Sequence, residues 1–186
     1  MTDDVSIREA QAAELEELTS LAVAAGSPDA ASGQLAMVLR DGRLLVALDE
    51  GRAVGVAGSL QVGTATFVSD LFVVPAAQGR GHGRRLLDSL LHGVDECVVF
   101  SSHHPAAQRL YESYGMRPLG RLLYLQHGDR RRYVPDGSPL AADLLAHGWT
   151  ALDDDIVMAT PGWEWPAGLL EASPGRFWPD GHDHVR

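Results

Sequence analysis

Lysine is missing from all 186 residues: the fifteen basic positions are all arginine, set against twenty-five acidic ones, for a formal charge of −10. That balance excludes a broad phosphate-binding face for nucleic acid and leaves room only for a local anion site. The single cysteine, Cys97, sits inside the apolar run from Val94 to Phe100. One cysteine rules out a disulfide framework and reads as a buried thiol in a reducing compartment. No apolar stretch approaches the roughly 18 residues of a membrane span, and Met1-Thr2-Asp3-Asp4 is acidic where a secretion signal is basic. The expectation is a soluble, cytoplasmic protein without a membrane partner. With 45% hydrophobic and 22% charged residues, the chain has enough apolar material for one well-buried core and too little for two.

What the chain does have is an abrupt hand-over from an apolar strand to an amphipathic helix across Val73-Val74-Pro75-Ala76-Ala77-Gln78-Gly79-Arg80-Gly81-His82-Gly83-Arg84. Glycines at 79, 81 and 83 let the backbone turn sharply and bring its N–H groups to a ligand without Cβ obstruction. The new helix aims its unpaired amides at the same spot. The residues read as a pyrophosphate cradle, with plain strand-to-helix packing as the alternative use of such glycines. Arg80, Arg84 and Arg85 add local positive potential or form ordinary helix surface. His82 reads as an amide donor with an exposed ring.

Periodicity places the other elements. Val5 to Arg8 is a strand, and Leu15, Leu18, Leu21 and Ala22 recur at helical spacing over Ala10 to Ala24. Ser27-Pro28 offers an N-cap and a first-turn proline for a second helix that carries Leu35, Met37, Val38 and Leu39 and ends at Gly42. Leu44 to Leu48 and Ala53 to Leu60 flank the hairpin signal Asp49-Glu50-Gly51, and Thr66 to Val74 follows as the next strand. In it Val68, Asp70, Phe72 and Val74 face one way, which puts Asp70 in an apolar face. A helix from about Gly83 to His92, a strand from Val94 to Phe100, a helix from Ala106 to Tyr114 and a strand from Pro118 to Gln126 complete the order β-α-α-β-β-β-α-β-α-β. Arg130-Arg131-Arg132 reads as a polar turn or surface loop, Leu140 to His147 as a helix and Ile156 to Ala159 as a last strand. Asp153-Asp154-Asp155 reads as a solvated loop, and no metal is expected. Trp163, Trp165, Phe177 and Trp178 argue for a tail that packs. That tail is either a homodimer surface or a lid.

Over residues 5 to 126 the chain resembles the GNAT superfamily of acetyl-CoA-dependent N-acetyltransferases. Gln78-Gly79-Arg80-Gly81-His82-Gly83 is similar to the family's cofactor motif. Ala107-Gln108-Arg109-Leu110-Tyr111-Glu112-Ser113-Tyr114-Gly115-Met116 is similar to its Ala-x-x-x-Tyr-Glu-x-x-Gly-Phe helix, with Met116 in place of Phe. The resemblance implies an α/β GNAT fold, with a mixed central sheet splayed between strands 4 and 5 and flanked by helices. Residues 1–126 would form the core, and 127–186 its completion and an aromatic, proline-rich extension. It also implies acetyl-CoA as co-substrate. The backbones of Phe72, Val73 and Val74 would lie against the pantetheine arm, and the amides of Gln78, Gly79, Arg80, Gly81, His82, Gly83 and Arg84 around the pyrophosphate.

Acetyl transfer needs a neutral nucleophile, a stabilised oxyanion and a proton for the departing thiolate. An alkyl amine with a pKa near about 10.4 requires on the order of 4 to 5 kcal/mol to be neutral at pH 7, so a base or a desolvated site is expected. Asp70 is the first candidate on the amine side, or else a structural carboxylate. His103 and His104 follow the fifth strand and suit a base, or else are polar residues ahead of Pro105. His104 stands where many family members have asparagine. Tyr111 holds the position of the family's thiolate-protonating tyrosine. The function expected is transfer of an acetyl group to a primary amine of a small molecule or peptide by direct attack, and an acidic chain suits a cationic acceptor. A non-catalytic acyl-CoA sensor or an interaction module is the alternative.

Overall fold

The computed structural model describes residues 5–27 and 33–164. Pro28 and the aromatic tail from Trp165 onward lie outside the described residues. The chain divides into two compact units, with the boundary after Asp95.

The first unit is built on four antiparallel strands, β1 (Val5–Glu9), β2 (Arg43–Asp49), β3 (Arg52–Val62) and β4 (Ala65–Val73), paired in that order. Helices α1 (Leu15–Ala24) and α2 (Gln34–Asp41) intervene between β1 and β2, and α3 (His82–Leu90) follows β4. One turn of 3₁₀ helix, Ala12–Glu14, precedes α1. There Glu14 closes a capping box with Gln11 and pairs with Arg8, which holds its carboxyl down at about 2. Leu18, Leu21 and Ala22 of α1 and Leu35, Met37 and Val38 of α2 are buried with Leu44, Val46 and Val56 of the sheet, and Phe72 and Val74 pack against them. Helix α3 buries Leu86, Leu87 and Leu90. It meets β3 at Gly55, where an added Cβ would lie 3.1 Å from Leu86 Cδ1.

Two turns follow directly from residue type. Asp49 pairs with Arg52, so Glu50 and Gly51 alone make the β2–β3 turn, with φ +51° and +77°. Positive φ at both central positions is the tight turn whose twist matches antiparallel strands. Gly42 ends α2 and runs against β3, where a Cβ would overlap the Ser59 carbonyl oxygen.

The strict alternation expected in β4 fails at one residue. Gly58 faces Asp70 while Ser59 faces Val68, so Ser69 is an extra residue in β4, a β-bulge. Val68 therefore lies on the opposite face from Asp70, contrary to the reading from the sequence. The bulge brings Ser69 Oγ to donate to Asp70 Oδ2 at 2.7 Å, and Gln34 Nε2 of α2 donates to Oδ1 at 3.0 Å. Asp70 is buried, and that burial pushes its carboxyl up to about 6 despite the two donors.

The second unit is built on four antiparallel strands in the order β5 (Cys97–Ser101), β8 (Thr150–Ala159), β6 (Arg117–His127), β7 (Arg130–Pro135). It carries α4 (Pro105–Glu112) and α5 (Pro139–Ala146). Burial raises the Cys97 thiol to about 11, consistent with an inert core cysteine. Helix α5 starts with Ser138 as N-cap and Pro139 in its first turn, and its Ala141 and Leu144 pack with Leu123, Leu125, Val134 and Trp149.

Three expectations are corrected in this unit. Arg130, Arg131 and Arg132 are not a loop: they form β7, paired with His127, Gln126 and Leu125, and the turn is Gly128-Asp129 with Gly128 at φ +64°. Their alternation is masked because all three side chains are long and charged. Asp153, Asp154 and Asp155 are not a solvated loop but the middle of β8, which begins at Thr150 and not at Ile156. The strand tolerates three carboxylates because consecutive side chains leave on opposite faces and each finds different company.

The close approach at Gly42 is backbone against backbone, whereas a Cβ at Gly58 would press on side chains, Val38 Cγ1 at 2.8 Å and Ser69 Oγ at 2.9 Å. We therefore expect Gly42→Ala to destabilise by about 3 kcal/mol and Gly58→Ala by about 1 to 2 kcal/mol, within the range for overpacking. Urea unfolding of the two variants checks this, and the reverse ranking refutes it. Asp70 generates a pH dependence of definite sign. Its native carboxyl keeps a proton up to about pH 6, while an unfolded aspartate ionises near about 3.9. Between those values the native state binds more protons, so this group's contribution to stability falls as pH rises. Asp70→Asn removes the effect. The variant should gain on the wild type by up to about 3 kcal/mol between pH 4 and pH 7, and a gap in unfolding midpoints that does not change with pH overturns the assignment.

Candidate functional site

The end of β4 and the start of α3 form a loop closed by its own side chains. Pro75–Ala77 make a single 3₁₀ turn, and Gln78 Nε2 donates to the Val73 carbonyl at 2.9 Å, folding the loop back on the strand it left. The Val74 amide is likewise taken by the Val54 carbonyl at 2.9 Å. Gly79 and Gly81 have φ of +76° and +84°, and a Cβ on either would meet nothing within 4 Å, so the concave side is open. Gly81 is the N-cap of α3 and has no side chain to cap it. The first bond of the helix is Arg85 N–H to the Gly81 carbonyl at 3.1 Å. The amides of His82 and Gly83 precede that bond and lack an intrahelical acceptor, and the helix dipole adds to their pull on an anion.

Around this opening the side chains are arranged differently from the sequence expectation. Arg80 is held by Asp49, at the end of β2, at 2.8 Å. The His82 ring is not exposed: it is buried beneath the first turn of α3, with Nε2 3.8 Å from Asp49 Oδ2 and neither ring nitrogen hydrogen-bonded. The physical reason is helical phase, since His82 shares its face with the buried Leu86 and Leu90. Asp49 is the residue that sequence reasoning overlooked here, because it reads as turn punctuation.

Asp70, the first candidate for the amine, lies in the first unit with one oxygen accepting from Gln34 and the other from Ser69. Both of its oxygens are thus committed within the core, which favours the structural reading of this carboxylate.

In the second unit, β5 ends at Ser101 and His103 and His104 precede α4. His104 is the N-cap of α4: its Nδ1 accepts the Ala106 amide at 3.2 Å, with Pro105 in the first turn. His103 Nε2 lies 3.0 Å from Asp154 Oδ2. The same carboxylate faces Arg121 Nη1 at 3.7 Å, and Arg121 is bonded in turn to Asp136. Tyr111 is buried in the last turn of α4, with Gly115, φ +80°, just beyond the helix end. On the sheet, Tyr124 donates its hydroxyl to Asp155 and stands edge-on to Tyr133 at 4.9 Å. Burial and the Asp155 charge push the Tyr124 hydroxyl above the usual phenol range, and burial likewise raises Asp155. The partnerships of Asp154 and Asp155 were invisible in the sequence because both span distant strands.

The acetyltransferase (GNAT) domain model matches residues 40–117, from the end of α2 to the start of β6. A mycothiol acetyltransferase of Saccharomonospora viridis is 36% identical over 69 residues, which is 37% of this chain and 22% of that protein's length. Solved structures share the fold. The ribosomal-protein-S18-alanine N-acetyltransferase of Escherichia coli has a TM-score of 0.57 at 21% identity, covering 87% of this chain and 99% of its own. The PaiA N-acetyltransferase of Thermoplasma acidophilum, solved in complex with coenzyme A, has a TM-score of 0.56 at 14% identity, covering 84% of this chain and 98% of its own. The glycine loop and the uncapped start of α3 both lie inside the span that matches the acetyltransferase (GNAT) domain, and the solved structures share the fold around it.

Proposed function

We propose that this protein transfers an acetyl group from acetyl-CoA to a primary amine by direct attack. The observation that carries the reading is the uncapped first turn of α3 behind two left-handed glycines, an anion site made of backbone alone. The amides from Gly79 to Arg84 take the pyrophosphate. The pantetheine arm runs along the end of β4, using backbone groups of Phe72 to Val74 other than the Val73 carbonyl and the Val74 amide, which have partners. A relative with this fold that was solved with coenzyme A supports the choice of carrier.

The chemistry follows from ordinary acidities. A thiol near pKa 8.5 and a phenol near 10 exchange a proton at roughly balanced energy, so a tyrosine can protonate the leaving thiolate without extreme tuning. Tyr111 is given that role. The acceptor amine must shed its ammonium proton first, and an acidic chain draws cationic acceptors toward it without fixing which one binds.

Calorimetric titration with acetyl-CoA and CoA, followed by a free-thiol release assay over mixed amines, tests the reading. Binding with turnover supports it, and binding without turnover favours an acyl-CoA sensor. Tyr111→Phe should lower kcat by about 100-fold, the lower end for an acid–base group, with acetyl-CoA affinity unchanged. Wild-type turnover in that variant removes Tyr111 from the reaction. Gly81→Ala forces a side chain into a left-handed N-cap at a cost of about 1 to 2 kcal/mol. Acetyl-CoA binding should weaken about tenfold, and unchanged affinity would place the pyrophosphate elsewhere.

A further inference from the structure

Two adjacent histidines at the start of α4 present opposite chemistry to solvent. His103 Nε2 faces the Asp154 carboxylate at 3.0 Å. A carboxylate only accepts, so Nε2 carries the hydrogen and the lone pair sits on Nδ1. His104 Nδ1 accepts the Ala106 amide at 3.2 Å. Its hydrogen is therefore on Nε2, and what it offers outward is a donor. One residue presents a base and the next an N–H.

We propose that His103, oriented by Asp154, is the base that takes the ammonium proton of the acceptor, and that His104 serves as a hydrogen-bond donor and not as a base. The inference rests on the acetyl-transfer reading above and deepens it. Its strength is the support behind the ring. His103 is half exposed, as a base that must meet a soluble amine has to be, while Asp154 is only 23% exposed. Asp154 stands in β8 and Arg121 in β6, adjacent strands, and Arg121 is bonded in turn to Asp136 just beyond β7. The imidazole is thus fixed by a carboxylate that is itself fixed on a sheet, the arrangement that holds a ring in one tautomer.

The step balances as follows. His103 Nδ1 removes one proton from the ammonium and passes it to solvent. The amine lone pair then forms the C–N bond at the thioester carbonyl, and the C–S bond breaks. The thiolate takes the hydroxyl proton of Tyr111, which is replaced by the second proton leaving the acetylated nitrogen.

Chemical rescue tests the assignment. His103→Ala should lose about 100-fold in kcat, with part of the activity restored by imidazole in the buffer. His104→Ala should lose activity without rescue. Asp154→Asn should lower kcat less than His103→Ala does, with KM unchanged, and should shift the His103 ring signals but not those of His104 in ¹⁵N-histidine NMR. Undiminished turnover in His103→Ala, or a loss that imidazole does not restore, overturns this inference and leaves the transferase standing. Wild-type protein that binds acetyl-CoA and releases no thiol from any amine overturns the transferase reading, and this inference with it.

Discussion

The first turn of α3 must begin without a cap. Any side chain able to satisfy those amides would occupy the place of the proposed anionic ligand, and any Cβ at Gly81 would resist its φ of +84°. Much of the first unit can be understood from that requirement. An uncapped helix start gives up about 1 kcal/mol relative to a capped one, and burial elsewhere must offset it. Helix α3 does so by burying Leu86, Leu87 and Leu90. Gly55 lets the helix lie close to β3. Gln78 and the 3₁₀ turn at Pro75 hold the loop in shape.

How far this could be read from the sequence depended on the range of the interaction concerned. The order of the first ten elements follows from apolar periodicity and from glycine and proline stops, each a local signal. Gly115 and Gly93 stand in the left-handed conformation just past their helices, as residue type predicts. The bulge at Ser69 was not legible, because it depends on which residue of β3 pairs across from it. The strand character of Arg130 to Arg132 was hidden for a related reason: the register with β6 is set by the Gly128-Asp129 turn and by the apolar partners Leu123 and Val134, and the arginines lie at the outer end of the pairing.

The candidate site divides along the same line. Its backbone portion, the glycines and the helix start, was legible because conformational freedom belongs to a residue by itself. Its side-chain portion was not. His103 and His104 are neighbours of the same type, and nothing in the sequence separates them. The separation comes from Pro105, which starts α4 and makes His104 a cap, and from Asp154, fifty-one positions away, which takes His103. Asp70 shows the converse. A lone carboxylate in an apolar strand invites a catalytic reading, yet its oxygens accept from Gln34 and Ser69 inside the core.

Asp49 links the anion site to the sheet. It closes the β2–β3 turn through its pairing with Arg52, binds Arg80 at 2.8 Å and lies 3.8 Å from the buried His82 ring. Arg80 is about half exposed, and an ion pair of that kind is worth about 0 to 1 kcal/mol. A pyrophosphate at the α3 terminus, as proposed above, would offer the same guanidinium charge-assisted bonds of about 1.5 to 3 kcal/mol. The comparison favours Arg80 turning from Asp49 to such a ligand. That transfer would leave the Asp49 carboxylate facing His82, whose nitrogens have no other partner, and the ring stands close enough to take up the vacated bond.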